Sequence, residues 1–161
     1  MESFKKFGGE IIPDLGEYVR DYISKYPDVK VFVGCDSEQY RNHTQYAVVV
    51  VLYHEKNGGH YIFYREKVKK IKDLFARLWR EVEQVLAVGE YLEKELEGFY
   101  KRENPLEKLV ELHIDLNPNP MHKSNSVFSV GVGTLKGHGF RVKTKPHAWA
   151  ASCSSDLICR K

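Results

Sequence analysis

Long apolar runs are missing from this chain of 161 residues. No stretch of about 18 consecutive apolar residues is present, so the sequence does not predict a membrane-spanning helix. Residues 1–6 also lack the apolar segment that a secretory signal peptide requires. We therefore expect a soluble, cytoplasmic protein with no membrane partner, and the chain length favours a single domain over residues 1–161.

Cysteine is scarce as well. The three residues Cys35, Cys153 and Cys159 are an odd number and have no Cys-x-x-Cys spacing. This pattern favours reduced thiols over disulfides or a zinc site. A glycine-rich phosphate loop is also lacking, because Gly58-Gly59 is better explained as a hairpin turn. The sequence therefore gives little support to a nucleotide hydrolase.

Net charge is low, at +3, so the total alone does not predict binding to a polyanion. The distribution of the basic residues is more informative than their sum. Two clusters stand out: Arg65, Lys67, Lys69, Lys70, Lys72, Arg77 and Arg80, and then Lys136, Arg141, Lys143 and Lys145 with His138 and His147 beside them.

An almost wholly apolar strand is predicted from residue 31, and it ends at a carboxylate, Asp36, followed by Ser37. A run without polar alternation is typical of a strand buried on both faces. Burial of an ionised acid is costly unless a cation or hydrogen-bond donors meet it. Asp36 therefore either caps a turn with Ser37 just past the strand or belongs to a site with partners elsewhere.

Periodicity and turn residues divide the rest of the chain into alternating helices and strands. Helices are predicted over residues 14–25, 68–100, 124–137 and from Pro146 onward, and further strands over residues 45–54, 60–66, 109–117 and 140–143. The long helix should bury a face that includes Ile71, Phe75, Leu78 and Val82. The first three strands should form an antiparallel meander.

Two of these strands end at an aspartate, Asp36 and Asp115. If the two strands are parallel neighbours, about 4.8 Å apart, both carboxylates lie at the same edge of the sheet. Carboxylates this close repel each other unless they share cations, and hard oxygen ligands suit Mg²⁺ or Mn²⁺. The helices could supply further acids: Glu81 or Glu83 from the long helix, and Asp156 from the last.

Several short motifs, in this order, resemble the ribonuclease H-like YkuK family over about residue 30 to the end of the chain. They are VGCDS (33–37), RLWREVE (77–83), HIDLN (113–117), SN (124–125), GHGF (137–140) and KPHAWAAS (145–152) continuing to Asp156. The resemblance implies an RNase H-like α/β fold: a mixed five-stranded sheet, with a three-strand antiparallel meander and two parallel strands, flanked by helices and preceded by an extra N-terminal helix.

The resemblance also implies a metal-binding acid set of Asp36, a helix glutamate, Asp115 and Asp156, holding two Mg²⁺ or Mn²⁺ ions. Glu81 is preferred to Glu83 because it aligns with the Glu-Val pair of the family. His147 resembles the histidine that precedes the last acid in many ribonucleases H, where it assists product departure. A surface histidine after Pro146 is the alternative.

We expect a metal-dependent nuclease that hydrolyses phosphodiester bonds in RNA, an RNA/DNA hybrid or structured DNA. Basic and amide side chains would hold the nucleic acid: Arg77, Lys143, Lys145, Asn117 and Asn125. Turn formation alone would also explain the asparagines. His113 is expected to pack or hydrogen-bond within the sheet. The rival hypothesis is a module that keeps the fold and binds nucleic acid without cutting it.

Overall fold

A six-stranded mixed sheet forms the centre of the computed structural model, which describes residues 3–99 and 106–154. Its elements are β1 (Lys5–Lys6), α1 (Leu15–Lys25), β2 (Lys30–Gln39), β3 (His43–His54), β4 (Gly58–Lys69), α2 (Leu74–Glu95), β5 (Val110–Ile114), α3 (Asn125–Gly137), β6 (Arg141–Lys143) and α4 (Trp149–Ser154). The strand order across the sheet is β1-β4-β3-β2-β5-β6.

Strands β2, β3 and β4 form the predicted antiparallel meander, and β5 and β6 add in parallel beyond β2. The α/β class, the meander and the extra N-terminal helix are therefore confirmed. The prediction of five strands was short by one, because the two-residue β1 pairs with the edge of β4. A strand of two residues is too short to produce a periodic pattern in sequence.

Helices cover the two faces of the sheet unequally. On one face α1, α2 and α3 enclose the main core, to which β2 contributes Val31, Val33 and Cys35. On the other face α4 packs against a smaller cluster that includes Phe32 and Ala150. Side chains of β2 alternate between these faces, as the period of two in a strand requires.

Gly34 is the point at which α4 meets the sheet. A Cβ atom at this position would lie 2.5 Å from the backbone nitrogen of Ala151 and 2.6 Å from the carbonyl carbon of Ala150. No other residue type fits there without displacing the helix. Glycine in the middle of β2 therefore allows the backbones of α4 and β2 to touch.

The predicted bounds of two elements need correction. Strand β2 does not end at Asp36 but continues to Gln39, because Asp36 and Ser37 still pair with Ala47 and Tyr46 of β3. The long helix begins at Leu74 and not at residue 68, since Val68 pairs with Thr44 in the extended β4. Asp73 caps α2, and its carboxylate accepts a hydrogen bond from the backbone of Ala76 at 2.8 Å.

Smaller corrections concern the exposed ends of elements. Phe75, predicted on the buried face of the long helix, is 42% exposed. Helix α2 ends at Glu95, strand β5 at Ile114, and α4 begins only at Trp149, because His147 closes a turn with Thr144 at 2.7 Å. None of the described helices is both long and apolar enough to cross a membrane.

Candidate active site

Asp36 and Asp115 lie at corresponding positions of two neighbouring parallel strands. The β2–β5 ladder ends with Cys35 opposite Ile114, and each aspartate is the next residue. Cys35 and Ile114 both point into the main core, so the two aspartates project toward the face that carries α4. Each is partly buried. The predicted parallel pairing therefore brings the two acids to one edge.

Glu81 joins this pair from helix α2. Its side chain is only 2% exposed, and its Oε1 accepts a hydrogen bond from Ser37 Oγ at 2.5 Å. Burial raises the pKa of the Glu81 carboxyl well above its ordinary value, and the negative charges of Asp36 and Asp115 raise it further. The Ser37 hydrogen bond and the charge of Arg77 act in the opposite direction. We call Asp36, Glu81 and Asp115 the carboxylate cluster.

The neighbouring Glu83 is oriented differently. Its side chain is exposed and accepts a hydrogen bond from Trp79 Nε1 at 3.0 Å, on a different flank of α2. Of the two glutamates left open by the sequence, Glu81 is thus the one that the fold directs to the aspartates.

Asp115 has an acceptor without a hydrogen bond. Its Oδ1 is buried and lacks a hydrogen-bond partner, while Nζ of Lys145 lies 3.4 Å away, close enough for an ion pair. The side chain of Lys145 is 45% exposed, so solvent screens this pair. Asp36 differs, because its Oδ1 accepts the backbone N–H of Ser37 at 2.8 Å.

The donor chemistry of the cluster suits a hard divalent cation, since carboxylate oxygens are the ligands that Mg²⁺ and Mn²⁺ prefer. A buried carboxylate oxygen without a hydrogen bond, as in Asp115, is an acceptor that a cation could use. In residues 3–99 and 106–154, however, no three His, Cys, Asp or Glu side chains are arranged to hold a metal ion. Asp156, the fourth predicted acid, lies outside the described residues.

A cavity of about 430 Å³ opens beside Asp115. Asn117, Pro118, Lys145, Pro146 and Ser152 line it, so that the loop after β5, the segment after β6 and helix α4 meet there. Lys145 thus borders both the cluster and this cavity, where a phosphate could approach it.

The two asparagines predicted to bind nucleic acid hold the loop after β5 together. Asn117 Oδ1 accepts the backbone N–H of Asn119 at 2.9 Å. Asn125 Nδ2 donates to the carbonyl oxygens of Asn117 and Pro118, at 3.2 and 3.0 Å. Turn formation, the alternative that the sequence left open, therefore accounts for both side chains.

Basic residues on β4 face the same side of the sheet as the aspartates. The ladder places Asp36 opposite Ala47, and Ala47 opposite Arg65, so the arginine lies two strands, or about 10 Å, from Asp36. Lys67 and Lys69 follow on the same face of β4 and are exposed. The sequence had associated these residues with the start of the long helix, and the extended β4 moves them onto the sheet.

Arg77 and Ser37 have roles close to Glu81. Arg77 is half-buried on α2, its charge lowers the pKa of Glu81, and its carbonyl oxygen accepts a hydrogen bond from Tyr46 at 2.9 Å. Ser37 was interpreted only as a turn residue. The signal that could have revealed its role is alternation, because a strand that continues past Asp36 turns Ser37 toward α2.

His147 and Lys143 lie away from the cluster. Both line a second cavity at the amino ends of β2 and β5, where Phe32, Glu111 and Trp149 are also found, and no member of the carboxylate cluster borders it. His113 is fully buried between the two regions, as expected for a histidine that packs in the sheet. Its Nε2 lies 3.0 Å from Glu111 Oε1, and its Nδ1 accepts the backbone N–H of Ala150 at 3.2 Å.

The fold and the position of the aspartates define a class. An antiparallel meander continued by parallel strands, with acids at the carboxyl ends of β2 and β5, is the arrangement of an RNase H-like α/β protein. A family model described as Ribonuclease H-like matches residues 12–160. The chain belongs to this family, the ribonuclease H-like YkuK family, as the ordered motifs predicted. No curated protein and no solved structure matches the chain significantly.

Proposed function

We propose that this protein is a metal-dependent nuclease that hydrolyses phosphodiester bonds in nucleic acid. The observation that carries the proposal is the approach of Glu81 to Asp36 and Asp115, close enough for both charges to raise its pKa. Three acids placed together against their mutual repulsion are typical of a site that uses their charge. Membership of an RNase H-like family supports nucleic acid as the partner in general.

Asp36, Glu81, Asp115 and Asp156 are the residues that would hold two Mg²⁺ or Mn²⁺ ions. Such ions, when bound, supply activation of the attacking water and stabilisation of the leaving oxygen. The protein itself contributes negative charge at the carboxyl ends of β2 and β5 and a buried hydrogen bond from Ser37 that orients Glu81. RNA, an RNA/DNA hybrid and structured DNA are the candidate substrates.

The phosphate backbone would be held by the cations around the cluster. Lys145 stands at the cavity next to Asp115, and Arg65, Lys67 and Lys69 form a stripe on the same face of the sheet. Each phosphate contact made by such a residue releases counterions, so binding should weaken with salt. A Lys67→Gln, Lys69→Gln variant should lower the slope of log K against log salt by about 0.7–0.9 per lost contact.

Cleavage of a labelled panel tests the proposal: RNA/DNA hybrid, duplex RNA, duplex DNA, single strands and a four-way junction, each with Mg²⁺, Mn²⁺ or EDTA. We expect cutting of one substrate class that requires metal and is lost in Asp36→Asn and Asp115→Asn. Glu83→Gln is the matched control for Glu81→Gln, because it changes an exposed glutamate two residues away. Metal-dependent cutting that survived both aspartate variants would refute the assignment.

A second candidate is a nucleic-acid-binding module that does not cut. The specific observation in its favour is Lys145, whose ammonium stands 3.4 Å from Asp115 and can balance that charge without a metal ion. It predicts no cleavage of any panel member, and salt-sensitive binding that is unchanged in Asp36→Asn.

A further inference from the structure

The cavity that contains Lys143 and His147 is distinct from the carboxylate cluster. It encloses about 530 Å³ where β2 and β5 begin, with β6 and the first residue of α4 as further walls. Phe32, on its wall, precedes Asp36 by four residues, or about 13 Å of extended strand. The cavity and the cluster therefore lie at opposite ends of the same strands, with the contact between α4 and Gly34 in between.

Aromatic rings form one wall of this sheet-end cavity. The rings of Phe32 and Trp149 meet edge to face with centroids 5.0 Å apart, and His113 packs against both, at 5.1 and 5.4 Å. The wall is held firmly, since the residue after Trp149 donates its backbone N–H to His113. A rigid aromatic surface binds a planar ring without first losing conformational freedom.

Cations form the opposite side. Lys30, Arg141, Lys143 and His147 line the cavity against two acids, Asp28 and Glu111. The pKa of Glu111 is lowered, first by its hydrogen bond with His113 and then by the charges of His113, Arg141 and Lys143. The negative charge of Glu111 is thus already compensated within the protein.

Two of the cations are available to a ligand. Arg141 lies 3.2 Å from Glu107, but both side chains are about half exposed, so this pair is weak and can be exchanged. Lys143 is exposed at the end of β6. A guanidinium and an ammonium near each other suit a phosphate, which the guanidinium can bind through two N–H groups.

We infer that the sheet-end cavity binds a nucleotide, with the base against Phe32 and Trp149 and the phosphate at Arg141 and Lys143. Stacking on aromatic rings is tolerant of base identity, so the shape and charge of the cavity select the class of ligand and not a particular base. The nucleotide is either free or part of a strand. The site needs neither a metal ion nor the carboxylate cluster, and it stands or falls independently of cleavage.

Trp149 gives a direct readout, because the chain has only two tryptophans and Trp79 can be replaced by phenylalanine. In Trp79→Phe protein with EDTA, we expect AMP to quench the remaining fluorescence with saturation, and adenosine or inorganic phosphate to bind more weakly. Lys143→Glu should weaken AMP binding roughly tenfold, because an attraction becomes a repulsion. Lys94→Glu, which reverses an exposed charge on α2, and Asp36→Asn should bind AMP as the parent does.

An oligonucleotide with a terminal phosphate distinguishes the two sources. Binding at least tenfold tighter than that of AMP, and weakened equally by Lys143→Glu, assigns the cavity to one nucleotide of a strand, whereas equal affinities assign it to a free nucleotide. The inference is overturned by unchanged fluorescence at saturating AMP, by equal quenching in Lys143→Glu, or by inorganic phosphate competing as well as AMP. Circular dichroism of each variant excludes unfolding as the cause.

Discussion

Ser37 of β2 donates a hydrogen bond to Glu81 of α2, and this bond connects the sheet to the helix at the carboxylate cluster. It exists because β2 extends beyond Asp36. Asp36 then faces the side of α4, and the next residue faces α2. One strand thus supplies an acid to the cluster and a donor to the buried member of that cluster.

Glu81 should make the stability of the metal-free protein depend on pH. Because the pKa of Glu81 is raised on folding, its contribution to stability is present at low pH and is lost as the pH rises through the folded-state pKa. Glu81→Gln remains neutral. We expect it to exceed the wild type in the free energy of unfolding at pH 8 by roughly 1–3 kcal/mol, and by less as the pH falls.

Urea unfolding in EDTA at pH 5 and pH 8 measures this difference, with Glu83→Gln as the exposed control. The control should show no comparable change with pH. If Glu81→Gln were less stable than the wild type at pH 8, the charged carboxylate would be compensated in the fold and the explanation by burial would be wrong.

The hydrogen bond itself can be measured with a double-mutant cycle. Ser37→Ala should cost about 1.5–3 kcal/mol at pH 8 where the acceptor is charged, and about 0.5–1.5 kcal/mol in the Glu81→Gln background where it is neutral. Ser24→Ala, which removes an exposed hydroxyl bonded to the carbonyl of Arg20, is the control and should change stability little. Additive effects of the two substitutions would contradict a direct bond.

Divalent cations should stabilise the folded protein through the cluster. At a concentration about 100 times Kd, binding to the folded state alone adds about 2.7 kcal/mol. We expect Mg²⁺ or Mn²⁺ to raise the melting temperature of the wild type, and Asp36→Asn and Asp115→Asn to abolish the increase. Asp21→Asn, which changes an exposed acid of α1, should retain it. Equal stabilisation of all four proteins would indicate a non-specific ion effect.

Much of the fold could be predicted from the sequence because its strands are strongly patterned. The positions of Asp36 and Asp115 followed from parallel pairing alone, which depends only on the order of the elements. The start of the long helix could not be predicted, because Val68 and Ile71 fit helical spacing while pairing with β3 keeps Val68 extended. Helical preference is a weak signal when a neighbouring strand offers a complete ladder.

The candidate site was predictable to the same degree. The acids on strands were found from position, whereas the contact of Glu81 with Ser37 depends on the rotation of α2 over the sheet. Lys143 and Lys145 are two residues apart in sequence but border different cavities, since β6 ends between them. Adjacency in sequence therefore overestimated how many residues share one site.

Gly34→Ala should displace α4, because the new methyl group would meet the backbone of Ala150 and Ala151, which cannot rotate away. We expect a loss of about 1–3 kcal/mol, as for overpacked interiors, and a red-shifted emission of Trp149 in the Trp79→Phe background. Gly133→Ala is the matched control. Its Cβ would meet open space in α3, so stability should rise by about 0.5–1 kcal/mol.

The comparison separates a local clash from a general effect of alanine. Loss of stability at Gly34 together with a gain at Gly133, both from urea midpoints, would establish that the close approach of α4 limits position 34. If Gly34→Ala also reduced AMP quenching of Trp149 without reducing the binding of Mn²⁺, the sheet-end cavity would depend on α4 more strongly than the carboxylate cluster does. An unchanged urea midpoint in Gly34→Ala would contradict the backbone contact from which both expectations derive.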